Sequence, residues 1–203
     1  GSSCICGSKG NPMRFQWGIA PPMADSLVNP RSVMAGDINM VMTRGMFIGL
    51  LPAALVYISS YAMVGRSTVL FWLDEPVWVL LSILVVSVAS HELMHLIVSP
   101  GVGLHPKNVI GFETTTYVPY VSVYAPMSKS MAIAHLLAPT CLITPLALLG
   151  CAALDGKWAG SCALLATINT ASSGADWLLA WWTYKRLGPS DRYQAGYFGE
   201  LLT

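Results

Sequence analysis

Apolar residues run through this chain in four long blocks separated by short polar stretches. They show neither the two-residue alternation of a half-buried strand nor the narrow stripe of a soluble helix. Met46 to Gly65 is uncharged and 20 residues long, the length an α-helix needs to cross a hydrocarbon core of about 30 Å. Pro76 to Ser99 is the second block, and Asp74, Glu75 and Pro76 at its opening suit a helix start. Met131 to Leu154 is the third and contains Pro139 and Pro145. A membrane helix tolerates such prolines when neighbours satisfy the freed backbone groups. Trp158 to Tyr184 is the fourth, with Trp177, Trp181 and Trp182 followed by Lys185 and Arg186, the aromatic and basic signature of a membrane interface. The expected fold is an all-α polytopic membrane protein with about four transmembrane helices over 46–65, 76–99, 131–154 and 158–184. Segment 1–45 precedes this domain (46–186) and a tail, 187–203, follows it.

Composition strengthens that reading. The chain is 54% hydrophobic and 10% charged over 203 residues, with mean hydropathy +0.57, whereas soluble domains carry about 25% charged residues. There is too little charge to cover a soluble surface, so the lipid bilayer is the expected solvent. A net charge of +1 suggests no nucleic-acid partner. With four spans, both termini and the loop 100–130 share one side. That side holds Lys9, Arg14, Arg31, Arg44, Lys107, Lys129, Lys185, Arg186 and Arg192, against Arg66 and Lys157 on the other. The excess predicts a multi-pass protein with both termini cytoplasmic.

The first 45 residues are less apolar. Gly1-Ser2-Ser3 reads as an expression scar, and no basic start with an apolar core suggests a signal peptide. Arg31 to Arg44 suggests an interfacial helix ahead of the first span. Cys141, Cys151 and Cys162 fall in apolar blocks as core residues, while Cys4 and Cys6 are too few for a zinc ribbon.

Three ionisable residues interrupt the second block, in Ser90-His91-Glu92-Leu93-Met94-His95. Such residues inside a span are costly and usually functional. His91 and His95 are four apart, hence on one helix face, and their imidazoles can reach one zinc ion. Glu92 is the next residue round, placed to take a proton from a water polarised by the metal. This is the HExxH constellation of zinc metalloproteases, and zinc lowers the pKa of water to about 7. By chance HExxH arises in a chain this long roughly once in a few hundred sequences. The bland alternative is a pair of hydrogen-bonded histidines with Glu92 paired to one of them.

A catalytic zinc site takes a third protein ligand. Asp176 is the sole acid in the fourth block and lies seven residues from Asn169, two helical turns, on a face shared with Ser172 and Ser173. It is ten residues from Arg186, about 15 Å along a helix, which matches the depth of His91 and His95 below Ser99. Interhelical hydrogen bonding accounts for the serines but poorly for an acid. His135, near the start of the third span, competes as third ligand, as hydrogen-bond donor to a reacting carbonyl, or as a structural histidine. His105, beside Pro106, reads as a solvated loop residue. Asp155 lies at the opposite end of the third span, too far in depth to serve.

HELMH on one membrane helix, with an Asn and an Asp on a later one, resembles the site-2 protease class of intramembrane zinc metalloproteases. The short layout more closely resembles the bacterial putative membrane zincin peptidases, with HExxH and a late Asn…Ser-Gly-x-Asp stretch, here Asn169 to Asp176. The resemblance covers roughly residues 46–186. It implies zinc bound by His91, His95 and Asp176, Glu92 as the base, and Asn169 assisting substrate or oxyanion. It also implies a bacterial cell-membrane location. One feature departs from the site-2 pattern. There the ligand Asp usually sits in Leu-Asp-Gly, whereas Asp176 precedes Trp177 and the only Leu-Asp-Gly here is 154–156.

Between the second and third spans, Val109 to Phe112 and Tyr117 to Tyr124 are rich in strand formers, with Glu113 to Thr116 as a turn. A small hairpin there would offer a free edge to an extended peptide, and Pro119 is tolerable on an edge strand. The site-2 resemblance implies a similar membrane-associated β-loop. The alternative is an ordinary interfacial loop. The function expected is hydrolysis of a peptide bond in or near the membrane segment of a membrane-protein or peptide substrate. The competing class is a catalytically silent metal-binding membrane protein, such as a transporter partner, for which an intact Glu92 has no use.

Overall fold

The computed structural model describes residues 14–18, 26–34, 38–65, 70–103, 105, 108–113 and 118–202. Gly1 to Ser3, Cys4, Cys6, Lys9, Arg66, Pro106, Lys107, most of the expected turn 113–116 (residues 114–116) and Tyr117 lie outside them. Helix α1 (Ile38–Val64) is followed by α2 (Val77–Val98), then α3 (Lys129–Ala138). A π-helical stretch, Pro139–Ile143, joins α3 to α4 (Thr144–Ala153). Helices α5 (Gly156–Ser172) and α6 (Gly174–Arg186) complete the bundle. Among the described residues, three helices are long and apolar enough to cross a membrane: Asn39–Val64, Val77–Val98 and Lys129–Ala153.

These helices are sorted inside out relative to soluble ones. On α1, Val41, Gly45, Gly49 and Ala53 are buried, four residues apart, while Met46, Phe47, Leu51, Leu55 and Ile58 face outward. On α2, Ser87, His91 and His95 are buried at the same spacing, and Val77, Trp78, Leu81, Val85 and Val86 are exposed. Small and polar residues meet at the helix contacts and large apolar ones face outward, the arrangement a lipid solvent selects.

The fourth expected span, 158–184, is not one helix. The chain turns at Ser173, whose ψ is −6°. The backbone carbonyl of Asn169 accepts from Ser173 N (3.1 Å) and from both hydroxyls, Ser172 Oγ at 3.0 Å and Ser173 Oγ at 2.7 Å. Serine hydroxyls that bond back to the preceding turn loosen a helix, and Gly174 follows them. Helix α5 packs on α4 and α1, and α6 on α1 and α3.

Strand content exceeds the expected single hairpin. Strands β3 (Val109–Glu113) and β4 (Val118–Ser122) do pair antiparallel, with Ile110 opposite Val121 and Phe112 opposite Pro119. An N-terminal strand, β1 (Arg14–Trp17), adds parallel to β3, so the order is β1-β3-β4 and β4 is an edge. A second sheet joins β2 (Leu27–Ser32) to β6 (Tyr197–Leu201) and β5 (Arg192–Gln194). It covers a core of Val33, Val123, Ala125, Met127, Ala132, Leu187, Tyr193 and Phe198. The tail 187–203 is therefore largely structured.

The expected interfacial helix over 31–44 does not form. Arg31 and Ser32 end β2, opposite Phe198 and Tyr197, and Arg44 is already within α1. Pairing with a strand 165–167 residues downstream, a contact invisible to local pattern, claims Arg31 and Ser32. Arg186 anchors the junction, donating from Nη1 to the Val33 carbonyl at 3.0 Å.

Candidate metal centre

Helix α2 presents His91 and His95 on its buried face, and α6 brings Asp176 to them from its first turn. His91 Nε2 lies 3.0 Å from Asp176 Oδ2, and His95 Nε2 lies 3.6 Å from Oδ1. One ligand atom from each of the three falls within 4.8 Å of the others.

The protons on the imidazoles can be placed from their outer partners. Asn169 is fully buried, and its Nδ2 donates to the Pro139 carbonyl (3.0 Å) and to Thr144 Oγ1 (2.9 Å). Its Oδ1 is therefore the atom 3.1 Å from His91 Nδ1, and His91 donates. His95 Nδ1 faces the His135 carbonyl at 2.8 Å, and it too donates. A neutral imidazole carries one proton, so both Nε2 atoms bear lone pairs and both point at a carboxylate. Three buried electron-pair donors converging without a cation are unfavourable. Zinc with bonds of about 2.0–2.1 Å in tetrahedral geometry needs ligand atoms about 3.3 Å apart, and each imidazole Nε2 lies within a few tenths of an ångström of that distance from one of the two carboxylate oxygens. The donor set fits the metal.

The fold supplies each outer partner. Proline lacks an N–H, so Pro139 leaves the carbonyl four residues back, that of His135, without its helical donor. His95 Nδ1 occupies that carbonyl. The bond is reciprocated: His135 Nδ1 donates to the His95 carbonyl at 2.8 Å, which also accepts from Ser99 Oγ at 2.6 Å. That carbonyl is available because Ser99 N closes the end of α2 on Leu96 instead. Two histidines on neighbouring helices thus clasp each other's backbone. Trp177 Nε1 donates to Thr140 Oγ1 at 2.8 Å and ties α6 to the π-helical stretch beside them.

His135 is not in the metal-holding group. With Nδ1 as its donor, a neutral His135 has no proton on Nε2 to offer a reacting carbonyl. Asn169, expected beside the substrate, lies behind His91 instead, with its amide oxygen and nitrogen committed to the bonds above. Both residues sit where they orient the two imidazoles of the candidate metal group. His105 stays outside the site, and Asp155 precedes α5 at the far end.

Glu92 is held from the sheet side of α2. Its Oε2 accepts from Val121 N at 3.1 Å, so the edge strand β4 lies against it. Glu92 lines a cavity of about 590 Å³ bounded by Leu84, Val88, Leu93 and Leu96 of α2 and by Ile110, Phe112 and Val121 of the sheet. Ser99, the Val121 amide and the α1 glycines were not singled out from the sequence. Only the glycines had a local signal, the Gly-x-x-x-Gly spacing of 45 and 49.

A family model described as putative zincin peptidase matches residues 83–188, just over half of the chain. This chain belongs to that family. Membership implies zinc peptidase activity with Zn2+ as cofactor, and the His91–His95–Asp176 group can hold the metal. The matched region runs from α2 through α6, so it spans all three of these residues and Glu92, whereas α1 lies outside it. Comparison with curated proteins and with solved structures gave no match.

Proposed function

We propose that this protein is a membrane-embedded zinc metalloprotease, of the site-2 kind, that hydrolyses a peptide bond in or next to the membrane segment of a substrate protein. One observation carries the reading: three lone-pair donors converge on a buried point while Glu92, on the same helix, opens into an apolar groove. His91, His95 and Asp176 are the ligands. Zinc held by them supplies Lewis-acid polarisation and a water of lowered pKa. Glu92 takes the proton of the attacking water, with Oε2 steadied by Val121 N–H. Asn169 and the His135 carbonyl keep the imidazole lone pairs aimed.

Substrate would enter as an extended strand against β4. Ladder geometry turns the backbone groups of alternate residues outward, here those of Pro119 and Val121. Pro119 has no N–H and that of Val121 goes to Glu92, so this edge offers carbonyls, and the substrate would dock through its own N–H groups. The broken pair α5–α6 completes a fourth crossing, with the metal near the cytoplasmic face, both termini cytoplasmic and the protein in a bacterial cell membrane.

The test pairs metal content with cleavage in purified full-length protein. About one zinc per chain should copurify. Glu92→Gln should keep the zinc and lose cleavage of single-span substrates by a factor of at least about 10²–10⁴. A folded preparation that cannot be loaded with zinc would sink the metal site, and full activity in Glu92→Gln would remove the base. For orientation, a cysteine replacing Val102 should resist an impermeant thiol reagent in intact cells and one replacing Lys157 should react; the reverse pattern refutes the topology.

A further inference from the structure

We propose that Gly45 and Gly49 of α1, a helix outside the family match, are positioning residues for the zinc ligand Asp176, through the break between α5 and α6. The proposal rests on the zinc site above and extends it to a helix that contributes no ligand.

The contact is backbone on backbone. A Cβ built on Gly45 would lie 2.5 Å from both N and Cα of Ala175, the residue before Asp176. One on Gly49 would run into the Ala171 carbonyl oxygen and lie 3.0 Å from its carbon. From the other side, a Cβ on Gly174 would strike the Gly45 carbonyl and lie 2.7 Å from Gly49 N. Three glycines therefore let α1 and the Ala171–Ala175 turn meet with no side chain larger than the Ala175 methyl at the contact, the close approach that small residues allow in membrane interfaces. No flexible side chain is available to yield, so any added methyl must move the turn itself.

Movement of this turn reaches the metal site directly. Asp176 is the next residue after the Gly45 contact, and its carboxylate sits 3.0 Å from His91 Nε2. His91 and His95 are carried on a different helix, α2, with the Asn169 side chain and the His135 carbonyl behind them. A methyl at position 45 or 49 thus displaces one ligand relative to the other two. Positional errors of this kind in groups that orient a ligand cost about 10–100-fold in metal affinity.

The test is a double-mutant cycle on full-length protein in detergent, read by zinc competition against a chelator and by the visible spectrum of the Co2+-loaded protein. Gly45→Ala and Gly49→Ala should each lower affinity about tenfold or more and shift the Co2+ bands. Tyr57→Ala, on the same helix but packed against Cys151 and Ala163, should leave both unchanged. In an Asp176→Ala background, either glycine variant should cost nothing further, because the ligand it positions is gone. Wild-type affinity and spectrum in both folded glycine variants would overturn the proposal. So would additive losses in the cycle, or an equal loss in Tyr57→Ala. If neither glycine variant folds, the contact serves the whole fold and the assignment to the site falls. Equal zinc affinity in wild type and Asp176→Ala would instead refute the ligand set itself, a separate outcome.

Discussion

Two helical regions build the candidate metal site, and they do so in different ways. Helix α2 is unbroken and carries His91, Glu92 and His95 at fixed i, i+1 and i+4 positions. The α5–α6 region brings Asp176 to them from a helix that starts afresh after Ser173. On α2 the spacing alone puts the two histidines together, since helix geometry is stiff. On the second region, Asn169 and Asp176 are assigned different places by the break: Asn169, at the end of α5, lies behind His91, and Asp176, at the start of α6, lies in front of it. Residues two regular turns apart would share a face. The turn separates them around the imidazole, so one helix can supply an outer hydrogen bond and the next a ligand. The lesson is that a continuous helix fixes geometry by covalent repeat, whereas a broken one borrows it from its neighbours.

The contrast is broken most sharply by removing Asp176. Asp176→Ala should lower zinc affinity by more than about 100-fold, beyond the usual range for losing an outer partner, as measured by chelator competition on folded protein. If His135→Ala loses the zinc and Asp176→Ala keeps it, the site has three histidines and the second region provides no ligand.

A smaller effect should follow from Asn169→Ala, about 10–100-fold in affinity. It leaves His91 Nδ1 and Thr144 Oγ1 short of a partner in a buried setting, with a stability cost of about 1–3 kcal/mol. Unchanged affinity would show that α2 holds His91 without help. Smaller again is Pro139→Ala. It returns an N–H able to compete with His95 Nδ1 for the His135 carbonyl, so zinc affinity should drop by up to about tenfold. A rise in affinity would exclude the freed carbonyl as an anchor. The least is expected of His135→Ala, because the anchoring carbonyl belongs to the backbone and survives. Zinc should be retained and turnover at most lowered, which zinc content and a cleavage assay on the same preparation will decide.

Much of this site was legible in the sequence. HELMH singled out two histidines of the candidate metal group and the carboxylate beside them, because zinc peptidase chemistry needs those residues at that spacing. The cost of an acid in a span singled out Asp176, and its distance from Arg186 gave its depth. The strand formers at 109–112 and 117–124 pointed to the hairpin, which forms over Val109–Glu113 and Val118–Ser122. What failed was pattern reading across contacts. Arg31 looked like part of a helix because its strand partner lies near the C-terminus, and 158–184 looked like one span because hydropathy is blind to a turn made of Ser172, Ser173 and Gly174.

By itself, then, the sequence marked the apolar blocks, three of the four expected spans being long and apolar enough as helices to cross a membrane, and put the HELMH residues at helical spacing on α2, since each depends on composition or on a repeat within one helix. Only the tertiary structure decided that Asn169 and the His135 carbonyl fix the proton positions of the two imidazoles, that Pro139 frees that carbonyl, and that the α1 glycines seat the turn before Asp176. Those outcomes depend on which backbone groups of separate helices are left unpaired and how closely they approach, and neither quantity is written in any local run of residues.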